Sequence, residues 1–251
     1  SSLLVFSLYR FKINSGKSIK SQFFIWRKQR SIILKSTSQS FAFQIFIFYN
    51  EIVENITPLN SRRSYKMVQR YVAEIKPINA DVIGTSVTGK AELIEDGDTL
   101  KIKIEATGTP PNMMHWSHFH GFPDNRKGRV PTMEADTNGD GIIDLPEIYA
   151  VAGQTMVPFD DAPQNMNIPH DNYPHADEEG NWNYEFEVPI GQLKGKFKEK
   201  FGSEDLQLDK RTVLIHGVPD SLELPDTVEG TVKEYEPHTT LPIGVGEIEK
   251  V

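Results

Sequence analysis

The sequence predicts an all-β domain, an antiparallel sandwich or Greek-key barrel, on three observations. Short apolar runs recur through residues 68–251, turn residues separate them, and a single stretch reads as a helix. Extended chain points successive side chains to opposite faces, so period-2 alternation marks a half-buried strand. Regularly spaced strands of that kind build sandwiches and barrels.

The elements follow in order. Val68 to Ile78 begins a strand-like stretch that Pro77 interrupts. Val87 to Leu93 and Leu100 to Ile104 flank the turn signal Glu95-Asp96-Gly97-Asp98. In the second of these runs Leu100, Ile102 and Ile104 alternate with Lys101, Lys103 and Glu105. Further strands are expected at Met114 to His120, Trp182 to Val188, Thr212 to Val218 and Leu241 to Ile248. The helix is Gln192 to Phe201, where Leu193, Phe197 and Phe201 recur at four-residue steps. Gly121 to Gly180 has little strand character, and a loop of that length is normally functional or disordered.

Composition divides the chain. Its 38% hydrophobic residues suffice for a real core. It has no cysteine, which excludes disulfides, thiolate metal sites and cysteine nucleophiles. The net charge of −8 hides a +9 segment at 1–66 and a −17 remainder. A domain so acidic repels nucleic acid and anionic membranes and attracts cations, which favours metal ions as partners. Residues 1–66 are rich in Ser, Phe, Ile, Lys and Gln. They read as a non-domain tail, either upstream translated sequence before Met67 or a disordered extension. A mitochondrial-type presequence is the alternative, since the segment is basic and nearly free of acid. The apolar runs Leu3 to Tyr9 and Phe41 to Tyr49 are too short or too interrupted for a bilayer span of ~20 residues. No targeting segment is visible from Met67 onward, so translation starting there predicts a cytoplasmic protein.

Two constellations carry chemistry. Of the seven histidines, His118 and His120 lie two residues apart, hence on one face of a strand. Their Cα atoms are then under ~7 Å apart, and the two imidazoles can converge on one ion. His115 is offset by three and would point the other way, as a structural residue. His216 ends the run Arg211 to His216 and, with Val213 and Ile215 in the core, faces outward with Thr212 and Leu214. His170 and His175 each follow a proline and lie near Asp177, Glu178 and Glu179. They belong to a ligand loop or to a solvated acidic one. The second constellation, Asp136 to Glu147, matches the twelve-position EF-hand calcium loop. Asp136, Asn138, Asp140, Asp144 and Glu147 supply side-chain oxygens, Ile142 a carbonyl, and Gly141 the sharp turn. Gly128 to Pro131 makes a poor entering helix, so a single structural calcium is expected rather than a paired sensor.

The order of these pieces resembles the copper/zinc superoxide dismutases. His118-Phe119-His120-Gly121 is followed by His175 and Glu178 ahead of Gly180-Asn181. Arg211-Thr212-Val213-Leu214-Ile215-His216 comes next, and the chain ends with Leu241-Pro242-Ile243-Gly244-Val245-Gly246-Glu247-Ile248. The resemblance covers nearly all of 68–251. It implies a Greek-key barrel of that type with a long metal-binding loop, copper at His118, His120 and His216, and superoxide as substrate. It further implies His170 as a copper–zinc bridge or second zinc ligand, and zinc at His175 with Asp177 or Glu178 as the acidic partner. A homodimer is also expected. The chain departs from the family's pattern in three ways. Its loop has two histidines where the family has three, the paired cysteines are absent, and no arginine follows Arg211, although one should fall near Thr239 or Thr240. Three readings stand: a copper-dependent dismutase, a non-catalytic copper- and calcium-binding module on the same fold, or a calcium-stabilised adhesion or matrix domain with incidental histidines.

Overall fold

A computed structural model describes residues 68–124 and 126–251. The expected tail at 1–66 lies outside these residues.

Alternation of apolar and charged residues produces the first half of the sheet. Strands β1 (Gln69–Pro77), β2 (Thr88–Asp96) and β3 (Thr99–Thr107) form an antiparallel meander. Ala73, Ile75, Ala91, Leu93, Leu100, Ile102 and Ile104 are buried on its inner face. The outer positions Lys101, Lys103 and Glu105 remain exposed. Gly97 takes a positive φ of 64° at the β2–β3 turn, which glycine adopts without a Cβ penalty. A short helix α1 (Ala80–Ile83) links β1 to β2.

The second half holds β4 (Ser117–Gly121), β5 (Gln154–Pro158), β7 (Thr212–His216) and β8 (Pro242–Lys250). Strand β6 (Trp182–Pro189) closes the far edge against β3. All pairings are antiparallel, giving one eight-stranded sheet in the order β5-β4-β7-β8-β1-β2-β3-β6. The sheet curls. Leu93 and Ile104 of one half share a core cluster with Phe119, Val213 and Ile215 of the other. Helix α3 (Ile190–Phe201) seats Leu193 and Phe197 in the same cluster.

A second apolar layer forms on the outer face of β7 and β8. Leu214 and Val245 pack there against Ile143, Leu145, Ile148 and Ala152, which come from the calcium-motif segment and helix α2 (Leu145–Val151). The residues between β4 and β6 therefore contain a helix and a strand, α2 and β5, where the sequence suggests only loop. Pro146 sits in the first turn of α2, where its missing N–H costs nothing, and Asp144 and Glu147 close a capping box. Strand β7 ends at His216 rather than Val218 because Gly217 turns the chain with φ 111°. Among the described residues no helix is long and apolar enough to cross a membrane.

Candidate metal centre

β4 is buried on both faces, which makes its alternation a matter of two cores rather than core and solvent. Phe119 enters the main cluster, and Trp116, His118 and His120 share the other face. In the β4–β7 register His118 lies opposite Leu214 and His120 opposite Thr212. His216 comes alongside Trp116, donating its backbone N–H to Trp116 O at 2.7 Å. It is thus the diagonal neighbour of His118. Both strands change register at the site, β4 against β5 between Phe119 and His120, and β7 against β8 between Ile215 and His216. Irregularities of this kind re-aim side chains.

The three rings converge. Their centroids are 5.8 Å apart for His118–His120, 5.3 Å for His118–His216 and 5.4 Å for His120–His216. One nitrogen from each lies within 4.8 Å of the others, and all three residues are buried. Among the described residues no other group of three or more His, Cys, Asp or Glu side chains meets that condition.

Backbone carbonyls fix the tautomers of two rings. His120 Nδ1 donates to Gly153 O at 3.0 Å, and His216 Nδ1 donates to Thr240 O at 2.8 Å. A carbonyl only accepts, so each neutral ring presents its lone pair at Nε2. His120 Nε2 has the Thr155 hydroxyl at 3.2 Å. His216 Nε2 and His118 Nδ1 have no hydrogen-bond partner at all, although both are buried. Unsatisfied buried acceptors are rare and costly. Burial strips hydration from the imidazolium forms and pushes the pKa of His120 down to about 3 and that of His216 to about 4, while His118 also falls well below the ordinary range. Three neutral imidazoles with one nitrogen each converging could hold a metal ion.

The site opens on a cavity of about 300 Å3 lined by Trp116, His118, Tyr149, Thr155, Ile168 and His216, among others. His115 is not part of the cluster. Its ring nitrogens lie 2.8 Å from Pro110 O and 3.0 Å from His216 O, bracing the backbone behind the site.

The other expected ligands are not brought together. His170 was expected as a fourth copper ligand, but both its nitrogens are committed elsewhere. Nε2 contacts the buried Asp160 Oδ2 at 2.7 Å, and Nδ1 accepts the Asn172 N–H at 2.8 Å. His175 and Glu178 are exposed. Asp177 turns its carboxylate onto the backbone N–H groups of Glu179 and Asn181 and onto the Asn181 side chain. The set His170, His175, Asp177 and Glu178 is therefore not assembled as a zinc site.

In the calcium motif the oxygens hold the loop's own backbone. Asp136 accepts from Gly139 and Gly141, Asn138 from Asp140, and Asp140 from Ile142. Asp144 accepts the N–H groups of Glu147 and Glu229, while Glu147 accepts from Thr137, Asn138 and Asp144. No three of its carboxylates meet the proximity condition that the histidines meet.

Gly153, Thr240 and Tyr173, which partner the three rings, have no sequence signal. Two act through a carbonyl that every residue carries, and Tyr173 reaches His118 from 55 positions away. The chain matches no protein-family model and no curated protein.

Proposed function

We infer that the chain is a copper-binding protein with a superoxide dismutase-like fold, which converts superoxide to oxygen and hydrogen peroxide at the three-histidine centre. The observation that carries this reading is the pair of buried, partnerless nitrogens His118 Nδ1 and His216 Nε2, beside His120, whose Nε2 meets only the Thr155 hydroxyl. Imidazole nitrogens suit several transition metals, and Cu(II) is the strongest binder among the common divalent ions at such sites. The curled antiparallel sheet and the order of its histidine strands support the Greek-key assignment.

His118, His120 and His216 would hold the ion. Copper, when bound, supplies a one-electron couple that can take an electron from one superoxide and return it to another, with two protons drawn from solvent. Hydrogen bonds from His120 and His216 to Gly153 O and Thr240 O keep those rings aimed, and burial keeps them neutral. Trp116, Tyr149 and Ile168 line the approach.

The non-catalytic module remains the second reading, and Arg211 favours it. Its guanidinium is buried and donates to Phe122 O and Leu206 O, both at 2.8 Å, so it serves as a brace and not as an anion guide. Lys200 is the one cation among the described lining residues of the cavity. The test is superoxide decay followed with copper-loaded protein and with a His118→Ala/His120→Ala variant. The enzyme reading predicts slow decay that the variant loses. Full copper occupancy with decay no faster than buffer would leave the binding module.

Calcium at Asp136–Glu147 is a further part of the proposal, supported by the ligand pattern and by a loop already wound into turns. Zinc has no such support from the assembled residues.

A further inference from the structure

Each imidazole of the cluster can present only one of its nitrogens to a metal, and a backbone carbonyl decides which in two cases. His118 is the exception: its nitrogens meet no carbonyl. Nε2 lies 2.9 Å from the hydroxyl of Tyr173, and Nδ1 is the partnerless atom. The Tyr173 hydroxyl has one hydrogen, and it is already spent, donated to Ile168 O at 2.8 Å. The phenol oxygen can therefore only accept from His118, which places the ring proton on Nε2 and leaves the lone pair on Nδ1. Nδ1 is the nitrogen nearer the strand, so a ring held this way coordinates close to the backbone while His120 and His216 reach with Nε2.

Tyr173 is itself tightly held. It is 2% exposed, its ring stacks on His170 at 4.8 Å and 13°, and Trp116 packs on it at 5.6 Å and 30°. His170 in turn is fixed by Asp160 at 2.7 Å and by the Asn172 N–H at 2.8 Å. The loop expected to bring histidine ligands to the centre brings a phenol instead, with a histidine stacked behind it as a brace.

We propose that Tyr173 is a positioning residue of the metal centre, fixing the Nε2–H tautomer of His118 so that Nδ1 is offered to the ion. This rests on reading His118, His120 and His216 as a metal site. The consequence is a mononuclear centre whose third ring is oriented by the long loop rather than by a second metal.

The test uses Tyr173→Phe in the full chain, which removes the hydroxyl and keeps the stacked ring. Nitrogen-15 NMR of the metal-free protein reads the tautomer of each histidine directly. The wild type should show His118 as Nε2–H, and the variant should show a mixture at His118 with His120 and His216 unchanged. Titration with Cu(II) alone should then show about 10- to 100-fold weaker binding by the variant, the range typical for losing a hydrogen-bond partner of a metal ligand. A role in packing alone would lower stability without moving the tautomer. Wild-type His118 found as Nδ1–H would overturn the proposal, and that spectrum needs no variant to fold. An unchanged tautomer and unchanged copper affinity in a folded variant would overturn it too. Failure of the metal reading is separately visible: wild-type protein with Nε2–H at His118 but no copper uptake would retain the tautomer lock and lose the centre.

Discussion

At the scale of residues, the histidine cluster is a store of instability in the metal-free protein. An imidazole titrates near 6.5 in an unfolded chain, whereas burial holds His120 near 3 and His216 near 4 in the fold. The unfolded chain therefore binds more protons across that interval, and folding stability falls as pH drops from about 6.5 through the folded values. The stabilisation is fully present above pH 6.5. The loss should be on the order of a few kcal/mol by pH 4.5, and urea unfolding of the metal-free protein at pH 7 and pH 5 measures its onset. Equal stability at the two pH values would mean that the rings are hydrated, contrary to the packing described. In the sequence, His118 and His120 are legible as a same-face pair because strand periodicity alone dictates it. His216 becomes a third partner only through the β4–β7 register, which no local pattern encodes.

At the scale of elements, the β4–β5 pairing depends on two glycines. A Cβ at Gly153, where φ is +88°, would lie 2.3 Å from the backbone of Gly121. Gly153→Ala should force the strands apart and displace the carbonyl that orients His120, costing about 1–3 kcal/mol of stability together with copper affinity. Thermal unfolding and copper titration of the variant check both effects. The calcium motif offers a cleaner separation. Glu147 closes a capping box on Asp144 as well as occupying the twelfth loop position, and glutamine keeps a capping oxygen while losing the charge. Glu147→Gln should bind calcium more weakly, read by calorimetry, with α2 intact by circular dichroism. Unchanged calcium affinity would remove the site. The meander β1–β3 is legible because solvent faces one side of each strand and charges mark it. β5 and α2 are hidden, since Gln154–Pro158 is too short to alternate and the motif reading of Leu145-Pro146-Glu147 masks a helix start.

At the scale of the whole molecule, the sheet builds two apolar layers, and the histidines sit at the edge of the outer one. That arrangement explains why Leu214 and Val245, which strand alternation assigns to the outer face, are nonetheless 0% exposed. It also explains why the long excursion between β4 and β6 is ordered: it supplies the cover for that face. Charge acts at the same scale. With −17 over residues 67–251, an incoming superoxide anion is repelled, so added salt should speed any copper-dependent decay by screening. Stopped-flow decay at two ionic strengths reads the sign. The central claim is that the cluster binds one ion, and metal-to-protein stoichiometry tests it most directly. Metal-free protein exposed to copper and freed of excess should carry one tightly held copper per chain by mass spectrometry. A folded His216→Ala variant should lose it. No retained copper in the wild type, or full retention in folded His216→Ala, would contradict the account.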